Sequence, residues 1–193
     1  MTDLLLVIFS AALVNNIIVL EVIGADPALA FLRRHDTAVD LSVTLLILLP
    51  VVTAAAWLLQ YWLIAPLDLQ YLQLLLTVAV ILIVVYGLKV LVPFIHPSLS
   101  ERLDPFLPFA GLNATVLGTV LLNRQADNGF VASIAFATGT ALGFALLLLL
   151  LTAVRERLEV AEVPAPFRGM PVLLLTLCIM AMAFTGFTGL IVL

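Results

Sequence analysis

Two places in this chain put amides inside apolar runs. Asn15 and Asn16 are adjacent in Leu13-Val14-Asn15-Asn16-Ile17-Ile18, and Asn113 lies in Ala110-Gly111-Leu112-Asn113-Ala114-Thr115-Val116-Leu117-Gly118. An amide in lipid is costly unless hydrogen-bonded. Nearby glycine permits a bent backbone or a close helix approach. Paired interruptions in two half-chains point to an inverted-repeat membrane protein whose working site lies where the repeats meet. Asn15, Asn16 and Asn113 are therefore candidates for an ion path or the surroundings of a cofactor. The plainer reading is hydrogen bonding between helices. Glu21 could carry a proton or help coordinate Na⁺ if it is within the hydrocarbon. It also falls two residues before the end of the first apolar run, where an interfacial carboxylate is ordinary. Asp26 precedes Pro27 and suits a turn cap. His35 and His96 have no ligand-spaced partners. The single cysteine, Cys178, reads as packing. Alone it cannot form a disulfide or a thiolate-ligated cluster. No phosphate-binding loop, dinucleotide fingerprint, zinc-protease pattern or hydrolase elbow is present. Nothing here supports a self-contained soluble-type enzyme.

Such residues need helices to position them. The chain is 64% hydrophobic and 10% charged, against roughly 45–50% and 25% in soluble domains. It is an integral membrane protein. Blocks such as Leu146 to Leu151 favour helices over a barrel, whose strands alternate. A net charge of −4 and no basic patch exclude a nucleic-acid partner and leave the lipid bilayer as the surroundings. Residues 1–3 lack a basic stretch, so the first apolar run is expected to be a retained span.

Hydropathy predicts six spans: about Leu4–Ile23, Val39–Leu59, Tyr71–Val92, Phe106–Asn123, Phe130–Val154 and Pro171–Leu193. Gly24-Ala25-Asp26-Pro27 should break the first. Pro108, Gly111 and Asn113 should split the fourth into half-helices. Pro50 should kink the second, and Pro93 should punctuate the loop after the third. Trp57, Tyr61 and Trp62 form an expected interfacial belt. Gly139-Thr140-Ala141-Leu142-Gly143 is a small-xxx-small motif for close helix approach. Arg155, Arg157, Pro164, Pro166, Phe167 and Arg168 lie in a charged, proline-stiffened stretch read as a non-helical loop and a docking surface.

Seven of the eight Lys and Arg residues lie in or toward the first, third and fifth connections, Lys89 near the end of the third span; only Arg124 lies opposite. The positive-inside rule then places those connections in the cytoplasm and both termini in the periplasm. With three spans per half, the halves enter from opposite sides. Repeat one (about 1–95) and repeat two (about 102–193) would be inverted copies in a single membrane domain (1–193). A component of a larger assembly, a small secondary transporter and a structural scaffold all fit this layout.

A resemblance narrows the choice. Met1-Thr2-Asp3, Leu13-Val14-Asn15-Asn16, Trp62-Leu63-Ile64-Ala65-Pro66-Leu67, Leu121-Leu122-Asn123, Arg155-Glu156-Arg157-Leu158 and Val163-Pro164-Ala165-Pro166-Phe167-Arg168-Gly169 resemble the RnfA/RsxA family of the Rnf ion-translocating electron-transport complex, related to NqrE. The likeness covers essentially the whole chain. It implies a bacterial inner-membrane complex that couples electron transfer between ferredoxin and NAD to Na⁺ or H⁺ movement. It also implies a homologous six-span partner of the RnfE/NqrD type and other membrane subunits of that complex. Family members are understood to place cysteines from both subunits around a [2Fe–2S] cluster. This chain departs at both positions: Asp26 and Ala114 stand where the family has cysteine. Alanine cannot bind iron, so no cofactor is expected on this chain's own ligands.

Overall fold

Long apolar runs with hydrogen-bond-competent backbone leave helices as the way across a bilayer. The computed structural model describes residues 2–14 and 35–186, and every regular element among them is helical. Helix α1 spans Thr2–Phe9 and continues as a π-helical turn, Ser10–Val14. Helix α2 is His35–Leu59, extended by a second π turn at Gln60–Ile64. Helix α3 is Gln73–Ile95. Then come α4 (Pro97–Leu103), α5 (Leu107–Gly111), α6 (Ala114–Gln125), α7 (Phe130–Glu159) and α8 (Met170–Thr185).

Three helical stretches are long and apolar enough to cross a membrane: Asp36–Ile64, Gln70–Ile95 and Phe130–Glu159. At 29, 26 and 30 residues each exceeds the roughly 20 needed for a hydrocarbon core about 30 Å thick. Pro97–Leu103 and Leu107–Gln125 are bent by 60° and can count together as a fourth. Leu4–Leu13 and Met170–Thr185 are shorter apolar helices. The protein is thus an all-α membrane protein with three, or up to four, long apolar helices among the described residues. The expected break at residues 24–27 and the short segment after it lie outside them.

The core is the seam between α2 and α7. Leu41, Leu45, Leu48 and Val52 recur at helical spacing on α2 and are fully buried. They face Ala137, Ala141, Phe144, Leu148 and Leu151, spaced the same way on α7. Small residues in the first half of α7 let backbones come close, so packing supplies the attraction that hydrophobicity cannot supply in lipid. Three buried or part-buried hydroxyls in these helices bond the preceding turn. Ser42 Oγ donates to the Ala38 carbonyl (2.7 Å), Thr44 Oγ1 to Asp40 (2.7 Å), and Thr152 Oγ1 to Leu148 (2.8 Å). That satisfies them without a partner helix.

The small-xxx-small motif has a visible purpose. A Cβ added at Gly139 would lie 2.5 Å from the Ile8 carbonyl oxygen and 2.8 Å from the Ala11 Cβ. Gly139 is where α1 and its π turn lie against α7.

Two local expectations are corrected. Pro93 is inside α3 rather than in the following loop. It removes one bond close to the end of a helix that stops anyway at His96, whose backbone turns extended (φ −144°, ψ 91°). The stretch from Arg155 is not yet loop. Helix α7 continues to Glu159, with Arg155 Nε 3.3 Å from Glu159 Oε1 at i,i+4 spacing in its last turn. Pro50 lies inside α2, which runs on through it to Leu59, with the α7 seam holding the helix on both sides of the proline.

Candidate functional site

The interrupted fourth span is built from its prolines and its asparagine. Pro108 starts the one-turn helix α5, where a missing N–H costs nothing. The chain then closes tightly: Leu112 N donates to the Pro108 carbonyl (3.2 Å) and Asn113 N to Ala110 (3.1 Å). Close packing accompanies the break. A Cβ on Gly111 would collide with the Cγ2 of Val85 on α3.

Asn113 begins the next helix. Its backbone is extended (φ −67°, ψ 129°), and its Oδ1 accepts from Thr115 N at 3.0 Å. This is an N-cap, which satisfies one of the otherwise unpaired amides of α6. Because that partner is a donor, the oxygen of the Asn113 amide must face it, and the nitrogen points away. Asn113 is 3% exposed, and its Nδ2 has no hydrogen-bond partner among the described residues. Behind it Thr115 and Thr119 are fully buried, with Thr119 Oγ1 donating to the Thr115 carbonyl at 2.6 Å. The result is a helix N-terminus with its partial positive charge, flanked by a buried amide that still has N–H groups to donate. Such an end suits an oxygen acceptor, a water or an anionic group rather than a bare cation.

Of the sequence candidates, Asn113 is placed at this break. Asn15, Asn16, Glu21 and Asp26 lie outside the described residues; the π turn Ser10–Val14 leads directly to the first of them. π turns recur at functional sites, which makes the approach to Asn15 notable.

The donor set does not fit a thiolate-ligated iron–sulfur cluster. Ala114, the first residue of α6, offers a methyl group and is exposed beside the buried Asn113. Cys178 is an exposed residue of α8. Among the described residues no three His, Cys, Asp or Glu side chains are grouped to hold a metal.

The charged stretch after α7 folds as a turn around a groove of about 620 Å³. Arg155, Glu159, Arg168 and Met170 line it. Arg157 falls in the last turn of α7. Pro164 precedes a 3₁₀ turn at Ala165–Phe167, which includes Pro166. Arg168 Nε donates to the Val163 carbonyl at 2.9 Å, pinning the loop across its base. Gly169 sits at φ +84°, ψ −127°, a backbone shape that only glycine adopts freely. Phe167 is 49% and Val160 88% exposed.

One polar cluster could not be anticipated from the sequence. At the end of the bundle where α2 exits and α7 begins, Trp57 Nε1 donates to the Asn128 carbonyl (3.2 Å) and Asn128 Nδ2 to Asn123 Oδ1 (2.9 Å). The indole stacks on Tyr61 (centroids 5.4 Å apart) and meets Phe130 edge-on (5.1 Å). The link of this aromatic group to residues 123–128, which read only as a polar turn, needed the third dimension.

The Rnf-Nqr family model, described as "Rnf-Nqr subunit, membrane protein", matches residues 4–191. Among curated relatives, proteins named as the A-type component of an ion-translocating oxidoreductase complex are similar over 191 residues, covering 99% of this chain and 99% of theirs. Those of Pseudoalteromonas atlantica and Aromatoleum aromaticum are 37% identical, and that of Citrobacter koseri is 38% identical.

Proposed function

This chain belongs to the Rnf-Nqr family of membrane subunits, and we propose that it works as the A-type component of an Rnf-like ion-translocating oxidoreductase complex in a bacterial inner membrane. The observation that carries this is full-length similarity to proteins bearing that name, 99% of both chains. The electrons move between ferredoxin and NAD, and their flow drives Na⁺ or H⁺ across the membrane.

Within that complex the chain contributes scaffold and ion path rather than iron ligands. Asp26 and Ala114 replace both family cysteines, so no electron step is assigned to its own side chains. The capped break at Asn113 supplies N–H donors beside a helix N-terminus, so along that path it holds a water or carboxylate oxygen rather than the cation itself. Asn15, Asn16 and Glu21 complete that path from the other half. In this reading the chain is one membrane domain of six spans, with inverted repeats at about 1–95 and 102–193 and both termini in the periplasm. The homologous partner of the RnfE/NqrD type covers the exposed surface around Ala114. The stretch that carries Arg155, Arg157, Pro164, Pro166, Phe167 and Arg168 meets other membrane subunits of the complex.

The test is coupled ion uptake by inverted membrane vesicles, driven by reduced ferredoxin and NAD. Asn113→Ser keeps a capping oxygen and removes the amide nitrogen. Assembly should be intact while uptake per electron falls. Unchanged coupling in an intact assembly would remove Asn113 from the path. Failure of electron-driven uptake to depend on this chain at all would overturn the complex assignment.

A further inference from the structure

Arg124 stands apart from the other seven basic residues in the sequence, and the ion path proposed above does not use it. It lines a cavity of about 80 Å³ at the aromatic end of the bundle, with Thr53, Asn123, Asp127 and Asn128. Two groups there are buried without a hydrogen-bond partner among the described residues: Arg124 Nη1 and Thr53 Oγ1. Thr53 is 1% exposed. Other buried hydroxyls on α2 bond the preceding turn, but Thr53 does not. A buried guanidinium nitrogen and a buried hydroxyl both require an acceptor, and leaving them unpaired is costly.

None of the described residues supplies that acceptor. Asp127 lines the same cavity and is exposed at its mouth, yet it forms no ion pair with Arg124 within 4.0 Å. Its backbone is left-handed (φ 50°), and its N–H donates to the Arg124 carbonyl at 3.0 Å, so the turn fixes both residues. A positive group inside and a negative group at the rim, held apart, match a ligand carrying both charges. The volume equals two or three waters at about 30 Å³ each, enough for a phosphoryl group and too small for a nucleotide. The level is also right. Tyr61 and Trp62 nearby are 65% and 76% exposed, as in the aromatic belt at lipid headgroups.

We propose that this cavity binds the headgroup of a zwitterionic phospholipid, with a phosphodiester oxygen at Arg124 and Thr53 and the ammonium at Asp127. The acyl chains then lie along the apolar flank below Tyr61 and Trp62. Arginine suits this position because its planar fork meets phosphate oxygens in pairs.

Native mass spectrometry of the full chain in mild detergent tests this. The probes are dihexanoyl phosphatidylethanolamine, dihexanoyl phosphatidylglycerol, dihexanoylglycerol and inorganic phosphate. The wild type should hold the ethanolamine lipid in preference to the glycerol lipid and should not hold dihexanoylglycerol. Arg124→Gln should lower its affinity at least about tenfold, as expected for losing a hydrogen bond to a charged group. Asp127→Asn, an exposed change that leaves the bundle intact, should shift preference toward the glycerol lipid. Equal binding of the two lipids by the wild type, or unchanged selectivity in Asp127→Asn, would overturn the zwitterion assignment. So would binding of inorganic phosphate with no lipid retained. Should Arg124→Gln fail to fold, Arg124→Lys and Asp127→Asn still decide the matter.

Discussion

Replacing Gly139 by alanine inserts a methyl group where α1 crosses α7. Its neighbours would be the Ile8 carbonyl oxygen at 2.5 Å, the Ala11 Cβ at 2.8 Å and the Ile8 Cα at 2.9 Å. None of these can rotate away, because all are backbone or Cβ atoms. Relief requires α1 to move until the shortest contact reaches the ordinary 3.4 Å. Overpacking of this kind costs about 1–3 kcal/mol, against a gain of up to about 1 kcal/mol from the better helix propensity of alanine. A net loss of about 1–2 kcal/mol remains, or roughly 2–8 °C in melting temperature for a chain of this size. Gly87 supplies the control. It lies inside α3 with nothing within 4 Å of an added methyl, so Gly87→Ala should be neutral or raise the melting temperature by about 1–4 °C. Both variants are to be melted in the same detergent with a thiol-independent fluorescent readout. Equal stability of Gly139→Ala and Gly87→Ala would refute the close crossing of α1 on α7.

Further outcomes follow from named contacts. Asn113→Ala should lose about 1 kcal/mol through loss of the cap on α6, while Asn113→Ser should lose only a few tenths, both read by thermal melting. Trp57→Phe keeps the aromatic contacts but loses the bond to Asn128, and should cost about 0.5–1.5 kcal/mol in the same assay. Phe167→Ala should melt as the wild type does, because the ring is exposed, yet recover less of the other complex subunits when a tagged chain is purified.

The sequence carried the class of fold because 64% apolar composition in leucine-rich blocks admits little else. It also located the break at Asn113, where proline, glycine and a capping amide coincide, and the crossing at Gly139, where small residues recur at helical spacing. Boundaries were harder. Pro93 reads as a breaker but sits so near the end of α3 that only one bond is at stake. Arg155 and Glu159 read as loop charges but form a last-turn pair that extends α7. The cavity at Arg124 left no linear signal, since Thr53 and Asp127 are far apart in sequence and meet only when α2 packs against the α6–α7 turn. The lack of a thiolate pair, by contrast, is a matter of residue type alone, since Cys178 is the one cysteine in the sequence.

The most direct test of the central claim is a tagged purification of this chain from its native membrane in mild detergent, with intact mass and stoichiometry measured together. Membership of an ion-translocating oxidoreductase complex predicts one copy of this chain recovered with a homologous membrane partner and further complex components in fixed ratio. A stable, solitary chain of 20.8 kDa under conditions that leave other membrane complexes intact would contradict it.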